Sequence, residues 1–166
     1  MDFPTARLIL HPVDEVEARR IRDGAPHPGD RWAADYPFDG DLAAIGSLLR
    51  ASEQDGDQRP FGYYQLRRRS DGLAVGGVGF KGPPDAGVVE VGYGLAPSAR
   101  GQGCAAEALQ ALLHIAADLG VATIRADTEP DNAASRRTLE RVGFTELPAG
   151  PGLRHYAAHT SHAVTP

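Results

Sequence analysis

The spacing of apolar and polar residues changes along the chain, and each spacing predicts a different kind of element. Apolar residues three and four positions apart predict amphipathic helices, at residues 14–23, 42–51, 101–119 and 132–142. Short apolar runs bounded by glycine, proline or aspartate predict strands, at residues 6–10, 62–69, 73–81, 88–95, 121–127, 144–147 and 153–158. The order βαα-βββ-α-β-α-ββ predicts a mixed α/β (α+β) fold, with a mostly antiparallel central sheet flanked by helices.

Length and composition indicate one domain that needs no disulfides. The chain has 166 residues, of which 42% are hydrophobic and 23% charged, as in single globular domains. We expect residues 1–158 to form the domain and residues 159–166, which are small and polar, to form a flexible tail. One cysteine, Cys104, excludes a disulfide framework and a cysteine-based zinc site, and the histidines lack metal-ligand spacing, so no metal is predicted.

The charge balance bears on partners and location. There are 17 basic and 22 acidic residues, a net charge of −5, so the protein lacks the positive field that attracts nucleic acid. The first apolar run, residues 8–10, is too short for a signal peptide, and polar residues interrupt the most apolar stretch, residues 105–115. We expect a cytoplasmic protein with neither a nucleic-acid nor a membrane partner.

A glycine-rich turn between a strand and a helix is the strongest chemical signal. After strand 88–95, the turn Arg100-Gly101-Gln102-Gly103 opens an amphipathic helix. Unpaired N–H groups at a helix N-terminus bind anions, and glycines let a pyrophosphate approach the backbone closely. The turn lacks the Gly-Lys-Ser/Thr of a Walker loop and the third glycine of a dinucleotide fingerprint. The alternative is that the glycines only shape a turn.

Four blocks of sequence, in order along the chain, resemble the GNAT superfamily of acetyl-CoA-dependent N-acyltransferases. Residues 100–105, Arg-Gly-Gln-Gly-Cys-Ala, are similar to its Arg/Gln-x-x-Gly-x-Gly/Ala signature. Residues 90–97, 132–144 and 5–12 resemble the ribosomal-protein N-terminal (RimJ/RimL-like) branch. Two positions depart from that branch, which often has an aromatic residue at Gly94 and an arginine at His11.

The resemblance implies an N-acetyltransferase in which a primary amine attacks acetyl-CoA directly within a ternary complex. The amine would belong to a small molecule or to a peptide or protein N-terminus, and the resemblance is compatible with a homodimer. Acetyl-CoA would be a co-substrate, and no metal is implied. The predicted cofactor-binding residues are Leu95, Arg100, Gly101, Gln102, Gly103, Cys104, Ala105 and Asn132.

Glu90 and Ser135 are the predicted catalytic residues. Strand alternation puts Glu90 on the same face as Gly92 and Gly94, a bare face with room for a pantetheine arm. We expect Glu90 to accept the amine proton, directly or through water; the alternative is a solvated or ion-paired glutamate. The resemblance gives the Ser135 hydroxyl the role of donor to the CoA sulfur. Asn132 lies on the same helix face as Ser135, and a role as the N-cap of the helix would be enough to explain an asparagine there.

Four residues between the first two helices are the predicted acceptor site: Trp32, Asp35, Tyr36 and Phe38. In the superfamily this connection borders the acceptor, although such residues could equally belong to the core. Gly94, in place of the usual aromatic, is expected to leave room for a bulky acceptor. A catalytically silent CoA-binding regulatory domain is the alternative function. A third hypothesis, an RNA-directed acyltransferase, conflicts with the net negative charge.

Overall fold

A computed structural model describes residues 1–148 and 150–160 of the chain. Within these residues, the sequence folds into four α-helices and eight strands. They are β1 (Phe3–Pro4), β2 (Leu8–Pro12), α1 (Glu15–Asp23), α2 (Asp39–Asp55), β3 (Tyr63–Arg68), β4 (Ala74–Phe80), β5 (Val88–Leu95), α3 (Cys104–Asp118), β6 (Thr123–Thr128), α4 (Ala133–Val142), β7 (Thr145–Glu146) and β8 (Arg154–His159). A short 3₁₀ turn, Pro97–Ala99, connects β5 to α3.

The eight strands form one sheet in the order β1-β2-β3-β4-β5-β6-β8-β7. Each pair is antiparallel except β5 and β6, which are parallel because α3 carries the chain back between them. The predicted mixed, mostly antiparallel sheet and the order of its elements are confirmed, with the two-residue β1 as an addition. Among the described residues, no helix has both the length and the apolar character that a membrane span requires.

The parallel pair separates halfway along its length. Strands β5 and β6 are in register from Val88↔Thr123 to Val91↔Ala126. Beyond that point β5 continues to Leu95 with no partner on its β6 side, although its pairing with β4 runs unbroken from Phe80↔Val91 to Gly76↔Leu95. The backbone of Gly92–Leu95 therefore borders an open gap in the middle of the sheet.

The two faces of the sheet are covered by different helices. On one face, α3 buries Ala108, Leu109 and Leu112 in the core. On the other face, α1 packs against α2, which buries Ile45. Strand β5 has side chains on both faces, because its residues alternate.

Several predicted boundaries need correction. Helix α2 begins three residues earlier than predicted, since acidic residues in its first turn favour the start of a helix. The strand predicted at residues 6–10 corresponds to β2, which begins two residues later and extends to Pro12, the partner of Tyr64. Strand β8 includes His159, and the Thr160 N–H donates to the Ala122 carbonyl at 3.0 Å. The predicted tail therefore does not include His159 and Thr160, and its other residues, 161–166, lie outside the described residues.

Candidate active site

The turn before α3 has the backbone conformation of an anion-binding loop. Gly101 and Gly103 both have φ near +80°, a left-handed conformation in which a side chain is strained. Gly103 is the N-cap of α3. Among the described residues, the N–H groups from Gly101 to Ala106 have no hydrogen-bond acceptor. The loop thus presents a row of free donors at the positive end of a helix, which suits a diphosphate.

Arg7, which the sequence analysis did not single out, holds this loop from outside. One terminal nitrogen of its guanidinium donates to the Gln102 carbonyl at 2.7 Å, and Nε donates to the Glu107 carboxylate at 2.8 Å. Thr5 donates to the same carboxylate. Burial disfavours the charged carboxylate, but these hydrogen bonds outweigh burial and keep the pKa of Glu107 below its usual value. Arg7 lies in the block of residues 5–12 that resembles the family, and this resemblance is the sequence signal that could have identified it.

The other predicted cofactor-binding residues around the loop differ in what they leave available to a ligand. Leu95 and Cys104 have buried side chains, so only their backbones remain for a ligand. Gln102 is exposed and Ala105 is half-buried beside the free N–H groups. Arg100 donates from Nε to the Leu95 carbonyl at 2.9 Å, and its guanidinium lies 5.4 Å from the centre of the Phe38 ring. Its charge is therefore anchored at the end of β5, next to the loop.

Glu90 lies on the predicted face of β5 but has an ion-pair partner. Its Oε1 is 3.0 Å from Nζ of Lys81, and its side chain is 41% exposed. An ideal Cβ on Gly92 would lie 3.3 Å from the Lys81 side chain, so Lys81 extends across the bare face of the strand. The alternative of an ion-paired glutamate thus describes the resting geometry. Glu90 is the acidic residue of β5, and it lies directly before the bare part of the strand.

Ser135 and Asn132 are together at the start of α4, on the opposite face of the sheet. Asn132 accepts from the Ser135 N–H at 3.1 Å, so it is the N-cap of the helix and only its amide nitrogen remains for a ligand. Ser135 Oγ is 2.8 Å from the hydroxyl of Tyr93. Tyr93 stands on β5 where the strand borders the gap, and strand alternation puts its side chain on the face opposite Glu90.

A groove of about 600 Å³ lies between α2 and the sheet. Its floor is formed by two cross-strand pairs of glycines, Gly77↔Gly94 and Gly79↔Gly92. Its long wall is one face of α2, and Phe61 closes the end away from Phe38. The lining residues of α2 are Gly40, Asp41, Ala43, Ala44, Ser47, Leu48 and Ala51. The groove therefore meets the bare face of β5 on one side of the gap.

A buried polar network forms part of the groove wall. Tyr63 donates from its hydroxyl to Asp41 Oδ1 at 2.9 Å, and this hydroxyl is 2.8 Å from that of Tyr36. Asp41 Oδ2 accepts from the Phe38 N–H at 3.2 Å. Asp41 is 2% exposed, and burial raises its pKa to about 6. Nothing in the sequence distinguishes Asp41 from an ordinary acid in the first turn of a helix.

The structure places only one of the four predicted acceptor residues at the groove. Phe38 lines it, and its ring lies 2.5 Å from an ideal Cβ on Gly94, so Phe38 fills the room that Gly94 was expected to leave. Tyr36 is buried in the network with Tyr63, and Trp32 packs edge-on against it at 5.6 Å.

Asp35 has a structural role at the end of β5 and does not line the groove. Its carboxylate accepts from the N–H and hydroxyl of Ser98, both at 2.8 Å. These bonds lower its pKa and fix the 3₁₀ turn that precedes the glycine loop. Trp32, Asp35 and Tyr36 do not line this groove, because each is engaged by neighbouring elements of the fold, and their contact with the acceptor stays a prediction.

Comparison with known proteins agrees with this geometry. Residues 7–145 match the family model described as an acetyltransferase (GNAT) domain. An uncharacterized N-acetyltransferase, YjdG of Bacillus subtilis (strain 168), is 27% identical, with 96% of this chain and 95% of that protein covered. An acetyltransferase structure from Agrobacterium tumefaciens str. C58 has a TM-score of 0.68 and 25% identity, with 96% and 94% coverage. RimL, a ribosomal L7/L12 alpha-N-protein acetyltransferase solved in complex with coenzyme A, has the same TM-score at 19% identity, with 96% and 98% coverage.

Proposed function

The chain belongs to the GNAT acetyltransferase family, and we propose that it transfers an acetyl group from acetyl-CoA to a primary amine of a small molecule or of a peptide N-terminus. One observation carries this proposal. The free N–H groups of Gly101–Ala106, the gap beside Gly92–Leu95 and the groove along α2 adjoin one another. A diphosphate site, a slot for a slender arm and an acceptor cavity are thus contiguous. We also propose that the chain belongs to the ribosomal-protein N-terminal (RimJ/RimL-like) branch of the family.

The loop residues fit the diphosphate of acetyl-CoA. The N–H groups of Gly101–Ala106 would donate to its oxygens, and Arg7 keeps the loop in place through Gln102. The arm would pass through the gap, where the backbone of Gly92–Leu95 has free groups on its β6 side. The CoA complex of RimL and the acetyl-CoA complex of the microcin immunity acetyltransferase MccE, which share this fold, support the assignment.

Side chains on opposite faces of β5 would act on the two bonds that change during acetyl transfer. Acetyl transfer forms a C–N bond to the amine and breaks the C–S bond of the thioester. Glu90 would accept the proton that the amine loses, directly or through water. Backbone N–H groups of Gly92–Leu95 would stabilise the charge that develops on the carbonyl oxygen. Ser135, hydrogen-bonded to Tyr93, would donate to the departing sulfur from the opposite face.

Ligand-dependent thermal unfolding followed by a turnover assay tests the proposal. A ligand that binds only the folded state raises Tm by mass action. We expect CoA and acetyl-CoA to raise Tm, ATP and NAD to leave it unchanged, and an amine panel to release CoA thiol. An unchanged Tm at saturating CoA would contradict the proposal. A shift in Tm without thiol release from a broad panel would favour the alternative of a silent CoA-binding domain.

A further inference from the structure

Lys81 is the only lysine in the sequence, and it lies at the proposed base. It directly follows β4, and its backbone N–H donates to the Glu90 carbonyl at 2.7 Å. The two residues are therefore cross-strand neighbours on one face of the sheet. The Lys81 Nζ donates to Glu90 Oε1 at 3.0 Å. The fold thus holds a primary amine of the chain itself against the carboxylate that the proposed function makes the base.

The side chain of Lys81 follows the bare face of β5 toward the gap. An ideal Cβ on Gly92 would lie 3.3 Å from Cε of Lys81, so the end of the lysine stem lies over Gly92. Gly92 is the first residue of β5 beyond the pairing with β6, and Lys81 also lines the groove. Because Cε carries the amine, Nζ lies beside the position that the proposed function gives to the thioester.

The ion pair between Lys81 and Glu90 leaves the amine able to move. The Lys81 side chain is 58% exposed and that of Glu90 is 41% exposed. Ion pairs as exposed as this contribute little to stability, because water screens them and ordering two long side chains costs entropy. The lysine amine sits on a flexible stem of four carbons, so it can turn from Glu90 toward the gap at low cost. The pair therefore suits a reactant better than a structural link.

We propose that the chain acetylates its own Lys81 with the acetyl-CoA that it binds. The inference rests on the proposed function and adds to it a modification site beside the base. The ammonium group would lose two protons, one to Glu90 and one to the departing sulfur, while its nitrogen forms a C–N bond to the acetyl carbon. The C–S bond of acetyl-CoA would break, and its electron pair would leave with the sulfur as CoA thiol. The product is an uncharged amide, which no longer forms an ion pair with Glu90.

Incubation with acetyl-CoA followed by peptide mass spectrometry tests the proposal, with the N-terminal amine as an internal comparison. Met1 is fully exposed, and β2, β3 and β4 lie between the strand that follows it and β5. A chain-terminal amino group is ordinarily less basic than a lysine amine, so acetyl-CoA in free solution should modify it faster. We expect the reverse, with Lys81 acetylated at least about tenfold faster, because the site holds its amine near the thioester. A faster or equal reaction at the N-terminal amine would overturn the inference.

Removal of the base provides an independent check. Glu90→Gln should slow the acetylation of Lys81 at least about tenfold, because the amine then loses its proton acceptor. Glu53→Gln is the matched control, since Glu53 is an exposed glutamate of α2 that does not line the groove, and it should leave the rate unchanged. A rise in Tm with CoA verifies that each variant folds and binds the cofactor. Equal rates for the parent protein and Glu90→Gln would show that Lys81 reacts without the site, and would overturn the inference.

Dilution and an external amine complete the test. The rate constant for acetylation of Lys81 should not depend on protein concentration, because amine and cofactor belong to one chain. A rate constant proportional to protein concentration would mean that a second copy supplies the lysine, and would overturn the transfer within one chain. Thiol release with an external amine but no acetylated Lys81 would overturn the inference and leave the proposed function standing. Neither acetylated Lys81 nor thiol release with any amine would overturn both.

Discussion

The loop before α3 and the groove beside α2 are constructed from different parts of the chain. The loop presents backbone N–H groups, and its glycines are required by φ values near +80°. The groove has a floor of glycines, but its chemical character comes from side chains on α2 and β3, above all Asp41 and Tyr63. One region would bind through the backbone, and the other through particular side chains.

This difference has consequences for both specificity and stability. A backbone site recognises a diphosphate that every acetyl-CoA carries, so its side chains can vary as long as the glycines remain. A side-chain site can change its substrate by single substitutions, but it has to bury polar groups such as Asp41, whose pKa is raised to about 6. The groove therefore reduces stability near neutral pH, whereas hydrogen bonds from Thr5 and Arg7 to Glu107 stabilise the loop.

The largest effect is expected from Glu90→Gln, which removes the proposed base from β5, the strand that leads from the groove to the loop. We expect kcat/KM to fall about 100-fold at pH 7, in the range of general-base contributions, with little change in the Kd of CoA. The loss should shrink as pH rises, because more of the amine is then neutral. Steady-state kinetics from pH 6.5 to 9 measure this, with Glu53→Gln, an exposed glutamate of α2, as control. Equal activity of variant and parent at pH 7 would remove Glu90 from the mechanism.

Asp41→Asn should remove a pH dependence of stability that originates in the groove. A carboxyl group whose folded pKa rises from 3.8 to about 6 stabilises the fold fully only below about pH 3.8, and that contribution is lost as pH rises through 6. For the parent protein we expect a loss of about 2 kcal/mol in the free energy of unfolding between pH 4.5 and 7 from this group. Urea unfolding across this range should show a flatter profile for the variant.

The matched control is Asp39→Asn, which changes an exposed acid in the same first turn of α2. It should preserve the slope of the parent protein. If Asp41→Asn and the parent protein lose stability in parallel between pH 4.5 and 7, Asp41 is already ionised in the folded state at low pH, and burial in the groove does not raise its pKa.

The loop could be predicted from the sequence because its requirements are local. Glycine at 101 and 103, before a run of apolar residues at helical spacing, predicts a turn that opens a helix, although α3 begins at Cys104 and not at residue 101 as predicted. The bounds of β5 were predicted correctly at Val88–Leu95 for the same reason, since Pro97 ends the run. The antiparallel run of β3, β4 and β5 also followed from local signals, because short turns connect these strands.

The groove could not be predicted because its requirements are tertiary. Asp41 becomes buried only when α2 packs over Tyr63, and an acid in a first helical turn is ordinarily solvated. Tyr36 and Asp35 looked suited to an amine, yet partners 27 and 63 residues away engage them. The pairing of Lys81 with Glu90 depends on the register of β4 against β5. No sequence pattern records these contacts.

Gly103→Val tests the backbone character of the loop. An ideal Cβ there would lie 3.4 Å from the guanidinium of Arg7, which holds the loop, and 3.9 Å from that of Arg141. We therefore expect a valine to disturb the loop and to raise the Kd of CoA about tenfold, while the KM of the amine stays nearly constant. Gly120→Val is the matched control, because Gly120 has φ of +78° against +80° and no atom near its Cβ position. Both variants should lose a similar stability of about 1–2 kcal/mol from left-handed strain. Calorimetric titration with CoA distinguishes an effect on the binding loop from an effect of backbone strain. Equal losses of CoA affinity in the two variants would mean that strain, and not contact with the ligand, is responsible.

The smallest effect concerns Phe38, the residue that touches both regions. Its ring lies against Gly94 in the groove and faces the Arg100 guanidinium, 5.4 Å away, at the start of the loop. Phe38→Leu preserves apolar contact with Gly94 but removes the cation–π interaction, which is worth about 0.5–1 kcal/mol at such a site. We expect the Kd of CoA to rise about threefold, because Arg100 is then held only by the Leu95 carbonyl. Phe61→Leu, at the distal end of the groove, should change the KM of the amine and not this Kd. If Phe38→Leu also leaves the Kd of CoA unchanged, the orientation of Arg100 does not matter to the loop, and the two regions bind their ligands independently.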